Sequence, residues 1–306
     1  MTTSLPWLQH TELRLFSLAC AQQLHHAILL TGPVGIGKHI LARQLAHQLL
    51  CHNPLPDGAC GRCKSCTLGA AGHHPDLLTL QVGSSISVDQ IREISHLMQN
   101  APQQGGARVV VIPQAEKMTE SAANALLKTL EEPGPHSYLL LYTAYAQQLM
   151  PTILSRCQRW DLPAQYDELT RQWLAQQSPD PLPDFLLEFC GGAPLKALEL
   201  QSSGEALLLA AQLKALQAFL QSGEGLAPLQ KQLEAQTELA ALLYYTLRHW
   251  VGSQQLPPVE VFSRVARWCR DEQLILGQNK SLALTTLLLD RSEEHTSELQ
   301  SRITIS

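Results

Sequence analysis

The sequence predicts a doubly wound α/β domain followed by helices, and three observations carry that expectation. Strand-length apolar runs alternate with helical patterns as far as Pro163. A glycine-rich turn at 32–38 joins the first apolar run to a helix. After Leu162 and Pro163 the β-branched runs disappear, leaving segments rich in Ala, Leu and Gln. With 306 residues, 45% of them hydrophobic, the chain is too long for one compact core. The expected division is a phosphate-loop domain over 1–163, a small helical segment over 164–202 and a helical C-terminal domain over 203–290.

Residues 26–31 (HAILLT) read as a strand entering the loop, and Leu41, Leu45, Leu49 and Leu50 share one face of a helix over 40–50. A cysteine-bearing excursion occupies 51–76, and 77–82 reads as the next strand. Ser87 and Gln90 fit a capping box, and Ile91, Ile94, Leu97 and Met98 supply the buried stripe of the helix it opens. RVVVI at 108–112 is continuous and β-branched, as expected of a strand covered on both faces of a parallel sheet. A helix over 121–132 halted by Pro133, a strand over 138–142, and a helix around Ile153 leading to Arg159 and Trp160 complete the alternation. Farther on, Leu239, Leu242, Leu243, Leu247 and Trp250 form a wide apolar face, more often intramolecular core than partner surface.

A formal charge of -5 with no long basic run argues against a stand-alone DNA binder held by phosphate contacts, so DNA contact is expected to be shared with partners. No stretch is apolar enough to span a bilayer and the first residues lack the order of a signal peptide, so the expected location is the cytoplasm. In a reducing compartment the cysteines do not argue for disulfides. Cys20, Cys157, Cys190 and Cys269 are scattered and are expected to be small buried apolar residues. The polar string at 291–306 matches the translation of a common sequencing adapter and is set apart from the fold, although its composition also fits a disordered tail.

Gly32, Gly35, Gly37 and Lys38 fit the G-x-x-x-x-G-K phosphate loop, placed where a strand meets a helix. In a working loop, backbone N–H groups and the helix N-terminus face phosphate, the lysine reaches the outer phosphates, and the next hydroxyl ligates magnesium. Here the next residue is His39, whose imidazole is a poor ligand for a hard ion that prefers oxygen. The strand expected to end in a metal-binding acid ends in Pro113 and Gln114; Glu116 is the nearest acid and lies beyond the proline. ATP hydrolysis and a magnesium site are therefore not expected. The loop residues leave nucleotide binding open, a vestigial strand-to-helix joint being the other reading.

Cys51, Cys60, Cys63 and Cys66 place four soft ligands in a short, Gly- and Pro-rich excursion, the composition of a closed tetrahedral zinc site. With no position left for water, such an ion is structural. An iron–sulfur cluster uses the same ligands but is less often held by so compact an insertion. His52, His73 and His74 lie nearby and are expected at the surface or behind the ligands.

With these pieces placed, residues 24–290 resemble the AAA+ clamp-loader family. The matches are Ala125-Leu-Leu-Lys-Thr-Leu-Glu-Glu-Pro133, Pro151-Thr-Ile-Leu-Ser155-Arg156-Cys157, and a cysteine insertion directly after the loop helix. The resemblance implies a RecA-like parallel-sheet domain with a zinc module at 51–66, a small helical lid, and an all-α collar through which five subunits assemble. Active motor members carry a hydroxyl after the loop lysine and an acidic pair after the RVVVI-type strand. With His39 and Pro113-Gln114 there, the chain is similar to the stator-like member that completes the ring without powering it. The family's Ser-Arg-Cys motif carries over an arginine finger to Arg156, offered in trans to a neighbour's nucleotide, where a planar, permanent charge can stabilise a transferring phosphoryl group. The same resemblance places Leu195, with Lys196 beside it, where the small helical domain carries a sensor arginine, and Thr143 near a polar sensor position. Implied partners are the gamma/tau motor subunits and the delta subunit, with the sliding clamp and primer-template DNA reached through the complex, at the replisome, and no membrane. The final helix is expected to be cut near Asp290.

Two other functions fit the same residues. One is an active clamp-loader ATPase of gamma/tau type, which turnover by the isolated chain distinguishes. The other is a zinc-dependent nucleic-acid adaptor in which Arg62 and Lys64 touch phosphate, which predicts salt-sensitive DNA binding lost with Cys60→Ala.

Overall fold

A computed structural model of the chain describes residues 5–222 and 239–252, together with Leu229, Lys231, Leu233, Ser263 and Arg267. Cys269, the cut expected near Asp290, the adapter-like string at 291–306 and the side chains of Leu247 and Trp250 lie outside the described residues. The chain divides into two units, Met1–Gln176 with Gly192–Lys196, and Gln177–Gly191 with Ala197–Ser306.

The first unit holds five parallel strands: β1 (Ala27–Thr31), β2 (Leu77–Thr79), β3 (Arg108–Ile112), β4 (Ser137–Thr143) and β5 (Gln158–Asp161), in the order β2-β3-β4-β1-β5. Its helices are α1 (Gln9–Cys20), α2 (Lys38–Leu50), α3 (Lys64–Ala70), α4 (Val88–Gln99), α5 (Glu120–Glu131), α6 (Pro151–Leu154) and α7 (Glu168–Gln177). Successive strand side chains point to opposite faces, which sorts one apolar sequence into two cores. Ala27, Leu29, Val110, Ile112, Leu139 and Leu141 pack with residues of α4, α5 and α6. Ile28, Leu30, Val109, Val111 and Leu140 pack with residues of α1 and α2. Each fully buried Leu, Ile or Val contributes roughly 1.5–3 kcal/mol, so the central strands are strongly committed to their places.

The capping box that opens α4 forms as expected: Gln90 N–H donates to Ser87 Oγ at 3.3 Å and Ser87 N–H to Gln90 Oε1 at 2.9 Å. Several local expectations are corrected. β2 ends at Thr79 rather than 82, because the chain leaves the sheet edge for the Gly83-Ser84-Ser85 turn. Leu97 is exposed while Ile91, Ile94 and Met98 are buried, so the apolar stripe of α4 is narrower than its sequence pattern. Cys20 is exposed at the end of α1, where its Sγ accepts a hydrogen bond from Gln48 at 3.2 Å; Cys157 is half-buried and Cys190 buried. The Gln-Arg-Trp-Asp segment after Cys157 forms β5, pairing with β1 on one side.

In the second unit, α8 (Leu186–Phe189), α10 (Glu205–Ser222) and α11 (Leu239–Gly252) accompany the continuation of α9 (Pro194–Ser202), whose first residues belong to the first unit. Leu239, Leu242 and Leu243 of α11 are buried, and its Tyr245 ring lies 6.1 Å from Phe185 and 6.0 Å from Phe189. Among the described residues, no helix is long and apolar enough to cross a membrane.

Candidate functional site

The phosphate loop runs from Gly32 to Lys38 between the carboxyl end of β1 and the start of α2. It is packed from two directions. Leu195 N–H donates to Gly35 O at 3.0 Å, and a Cβ on Gly35, at φ +84°, would fall 2.6 Å from the Lys196 Cβ. On the other side Trp7 Nε1 donates to Ile36 O at 2.9 Å, and a Cβ on Gly37, at φ +106°, would lie 2.5 Å from Leu5 Cδ1. At Gly35 both the backbone angle and the nearby Lys196 backbone require glycine, while at Gly37 the left-handed angle is the main demand, since the leucine tip can shift.

Lys38 is buried and turned inward: its Nζ donates to Gly32 O at 2.6 Å and Pro33 O at 2.7 Å. Burial pulls its pKa down to about 8, opposed by the Glu116 carboxylate. Glu116 sits in a short turn over Ala115–Lys117 and has one buried carboxylate oxygen that accepts no hydrogen bond. An acid does therefore act on the loop lysine, although it lies past Pro113 and Gln114. Burial, then Arg43 and Lys38, lower the His39 pKa and favour neutral imidazole. Neither position 39 nor positions 113–114 offers an anionic or hydroxyl oxygen, and these residues do not fit a magnesium-bound triphosphate. Thr143, buried at the end of β4, uses its Oγ1 to accept from Tyr145 N–H at 2.9 Å.

The four expected cysteines are brought together between α2 and β2, each offering an Sγ within 4.8 Å of the others. Cys51 and Cys63 are 3.9 Å apart at sulfur, as are Cys60 and Cys66. A tetrahedral ion with bonds of about 2.3 Å to sulfur requires ligands about 3.8 Å apart. Backbone amides support the sulfurs as acceptors: Cys60 N–H points to Cys51 Sγ at 3.3 Å and Cys66 N–H to Cys63 Sγ at 3.4 Å. Burial raises the Cys63 pKa, but the Cys66 and His52 amides outweigh it and draw the thiol below its ordinary value. Burial and the neighbouring sulfurs push Cys66 the other way. A bound cation resolves that conflict by favouring thiolate at all four positions, and the cluster can hold a metal ion.

Behind the cysteines lies a polar chain that the sequence did not reveal. His73 is exposed at the surface, whereas His74 is buried behind the ligands, the two placements expected for this group. Ser65 Oγ donates to Leu50 O at 2.5 Å and lies 2.7 Å from His74 Nε2, while His74 Nδ1 accepts from Asp76 N–H at 3.1 Å. These contacts select a neutral imidazole protonated at Nε2. The Asp76 carboxylate then accepts from Gln103 N–H at 2.8 Å, Gln104 N–H at 2.9 Å and Arg108 Nη2 at 3.0 Å. Burial works against the Asp76 anion, yet these donors hold its pKa below the ordinary value. Arg108 finishes the chain by donating to the carbonyls of Leu97, Asn100 and Ala101. The one available signal was a charged residue opening an otherwise apolar strand.

Arg156 stands after α6 and before β5, half-buried, with each of its three nitrogens engaged. Nε donates to Glu131 Oε1 at 2.8 Å, Nη2 lies 2.5 Å from the same oxygen, and Nη1 donates to Thr152 O at 3.0 Å and Ser155 Oγ at 3.3 Å.

Comparison with known proteins places this architecture. A family profile described as "DNA polymerase III, delta subunit" matches residues 9–165. The DNA polymerase III subunit delta' of Pseudomonas aeruginosa is 43% identical over 205 residues, covering 65% of this chain and 62% of that protein. For Haemophilus influenzae the matched stretch is 63% of the relative's length, so both alignments span less than two thirds of those proteins. The Escherichia coli delta' subunit is 32% identical over 314 residues, covering 93% of this chain and 94% of the relative. The Escherichia coli tau subunit is 38% identical over 142 residues, 46% of this chain and 22% of that protein. A solved gamma subunit-related protein of Thermotoga maritima overlays with a TM-score of 0.47 at 20% identity, covering 91% of this chain and 98% of that one. By the extent of these matches, the chain belongs to the delta' family of DNA polymerase III subunits.

Proposed function

We propose that the chain is a non-hydrolysing clamp-loader subunit. In this reading it completes a five-membered ring and supplies Arg156 in trans to the nucleotide of a neighbouring gamma/tau-type ATPase while a sliding clamp is loaded on primed DNA. The observation that carries it is the loop itself: Lys38 is held by the Gly32 and Pro33 carbonyls, and the flanking positions 39 and 113–114 lack a carboxylate or hydroxyl ligand for magnesium. Family membership and the tau relative support the partner class. Residues 164–202 then serve as the lid, 203–290 as the collar, and assembly with the delta subunit occurs in the cytoplasm at the replisome. Zinc at Cys51, Cys60, Cys63 and Cys66 is structural, because four thiolates complete a tetrahedral shell and leave no position for water. A guanidinium is the suitable donor in trans: it stays charged at every relevant pH and its planar fork matches two phosphate oxygens.

The test is reconstitution with motor subunits. Arg156→Ala leaves folding and assembly intact and lowers ATP turnover by the complex; turnover equal to wild type refutes the finger. One observation favours a second reading, since Glu116 acts electrostatically on Lys38 and an acid does face the loop. An intrinsic ATPase of gamma/tau type predicts phosphate release by the isolated chain that is abolished by Lys38→Ala.

A further inference from the structure

We infer that Glu131 is a latch that holds Arg156 back from a neighbour's phosphate and so sets the nucleotide concentration at which the subunit interface engages; this rests on the reading of Arg156 as a finger in trans. Glu131 is the last residue of α5, and Glu132 follows it. Two carboxylates at a helix C-terminus meet the negative end of the helix dipole, an unfavourable place for them unless a cation compensates. Lys128 lies in the same last turn, and Arg156 is the cation in direct contact: two of its nitrogens converge on the single oxygen Oε1 of Glu131.

The third nitrogen is tied to Thr152 O and Ser155 Oγ, so the guanidinium has its fork turned toward its own chain. A phosphate group approaching from another subunit needs the same edge of the fork. It must either displace the carboxylate or accept a second anion beside it, and like charges at that distance repel. Engagement is therefore a competition between two anions for one guanidinium. Both side chains are partly exposed, at 34% for Arg156 and 51% for Glu131, so water and salt weaken the resting pair and leave it breakable. A fully buried pair would lock the arginine; this one delays it.

The experiment compares complexes reconstituted with wild-type chain, Glu131→Gln, Arg156→Ala and the double variant, measuring ATP turnover across ATP and salt concentrations. Glutamine keeps the shape and a weaker acceptor but loses the charge. Glu131→Gln is expected to raise kcat/KM for ATP by about 1.5- to 5-fold, the span of an exposed ion pair, with the gain shrinking at high salt. A merely structural role would lower assembly or the melting temperature without producing that gain. The double variant is expected to match Arg156→Ala alone. If Arg156→Ala lowers turnover while Glu131→Gln lowers it or leaves it unchanged, the latch is overturned and the finger stands. A gain from Glu131→Gln that persists without Arg156 also overturns the latch. Turnover unaffected by Arg156→Ala overturns the finger, and the latch with it.

Discussion

Replacing Asp76 by Ala removes one partner of a buried ion pair, and the structure sets the scale of the loss. The Asp76 and Arg108 side chains are 0% and 7% exposed, with a 3.0 Å contact. Deleting one member of such a pair costs about 3–5 kcal/mol, mostly because the other charge stays buried without its counter-ion. The Gln103 and Gln104 amides also lose their acceptor, but they lie in a loop that water can reach, so the total stays near that range. At about 2–4 °C per kcal/mol for a unit of this size, the melting temperature should fall by roughly 6–20 °C. Urea and thermal unfolding of wild type, Asp76→Ala, Arg108→Met and the double variant measure it. The double variant should cost less than the sum of the singles by about 2 kcal/mol or more, since it leaves no uncompensated charge. Additive losses, or a single loss below about 1 kcal/mol, would refute the account. The pH dependence has a definite sign. Because the native pKa of Asp76 is lowered, its contribution is present above the unfolded carboxyl value of about 3.9 and is lost as pH falls through the lower native value. Asp76→Ala should flatten that acid limb.

Other perturbations test the loop and the cysteine module. Lys38, drawn down to about 8, releases its proton in the folded state before the unfolded chain does, so stability should rise between about pH 8 and about pH 10.4. Lys38→Met should abolish that rise in denaturant titrations, and a wild-type curve that stays flat there would contradict the buried lysine. Gly35→Ala forces a Cβ to within 2.6 Å of Lys196 at a left-handed backbone angle, for an expected loss of about 1–3 kcal/mol, read as a lower melting temperature. On the proposal that the cysteine site holds zinc, which supplies on the order of 10 kcal/mol in such modules, a chelator should speed hydrogen exchange at the Cys60 and Cys66 amides while β1 and β4 stay protected. Unchanged exchange at those amides would mean that the module is ordered without a metal.

What the sequence disclosed follows from how locally each feature is encoded. β1, β3 and β4 are covered on both faces and announce themselves as continuous apolar runs. β5 is an edge strand of Gln, Arg, Trp and Asp, and its place comes from pairing with β1, information carried by residues far along the chain. The cysteines were legible because their spacing is short. The Ser65–His74–Asp76–Arg108 chain was not, because Asp76 and Arg108 meet across 32 positions and each alone looks like an ordinary polar residue. Arg156 was marked by its flanking motif, but its partner Glu131 is 25 positions away and only the packing of α5 near α6 joins them. Leu97 fitted the stripe of α4 by spacing, yet the facing sheet buries only the narrower set.

The strand order has a directional consequence. Ile28 pairs with Gln158 and Thr31 with Asp161, so Gly32 follows the carboxyl end of β1 while Arg156 precedes the amino end of β5. One rim of the sheet thus displays a loop and the opposite rim a cation, separated by roughly the length of a four-residue strand, about 13 Å. A contact joining the rim of one molecule to the other rim of the next is polar, like a plug meeting a socket, and cannot be mirrored by a two-fold axis. On the proposed reading of Arg156, a row built through such contacts runs in one direction, with a defined first and last place.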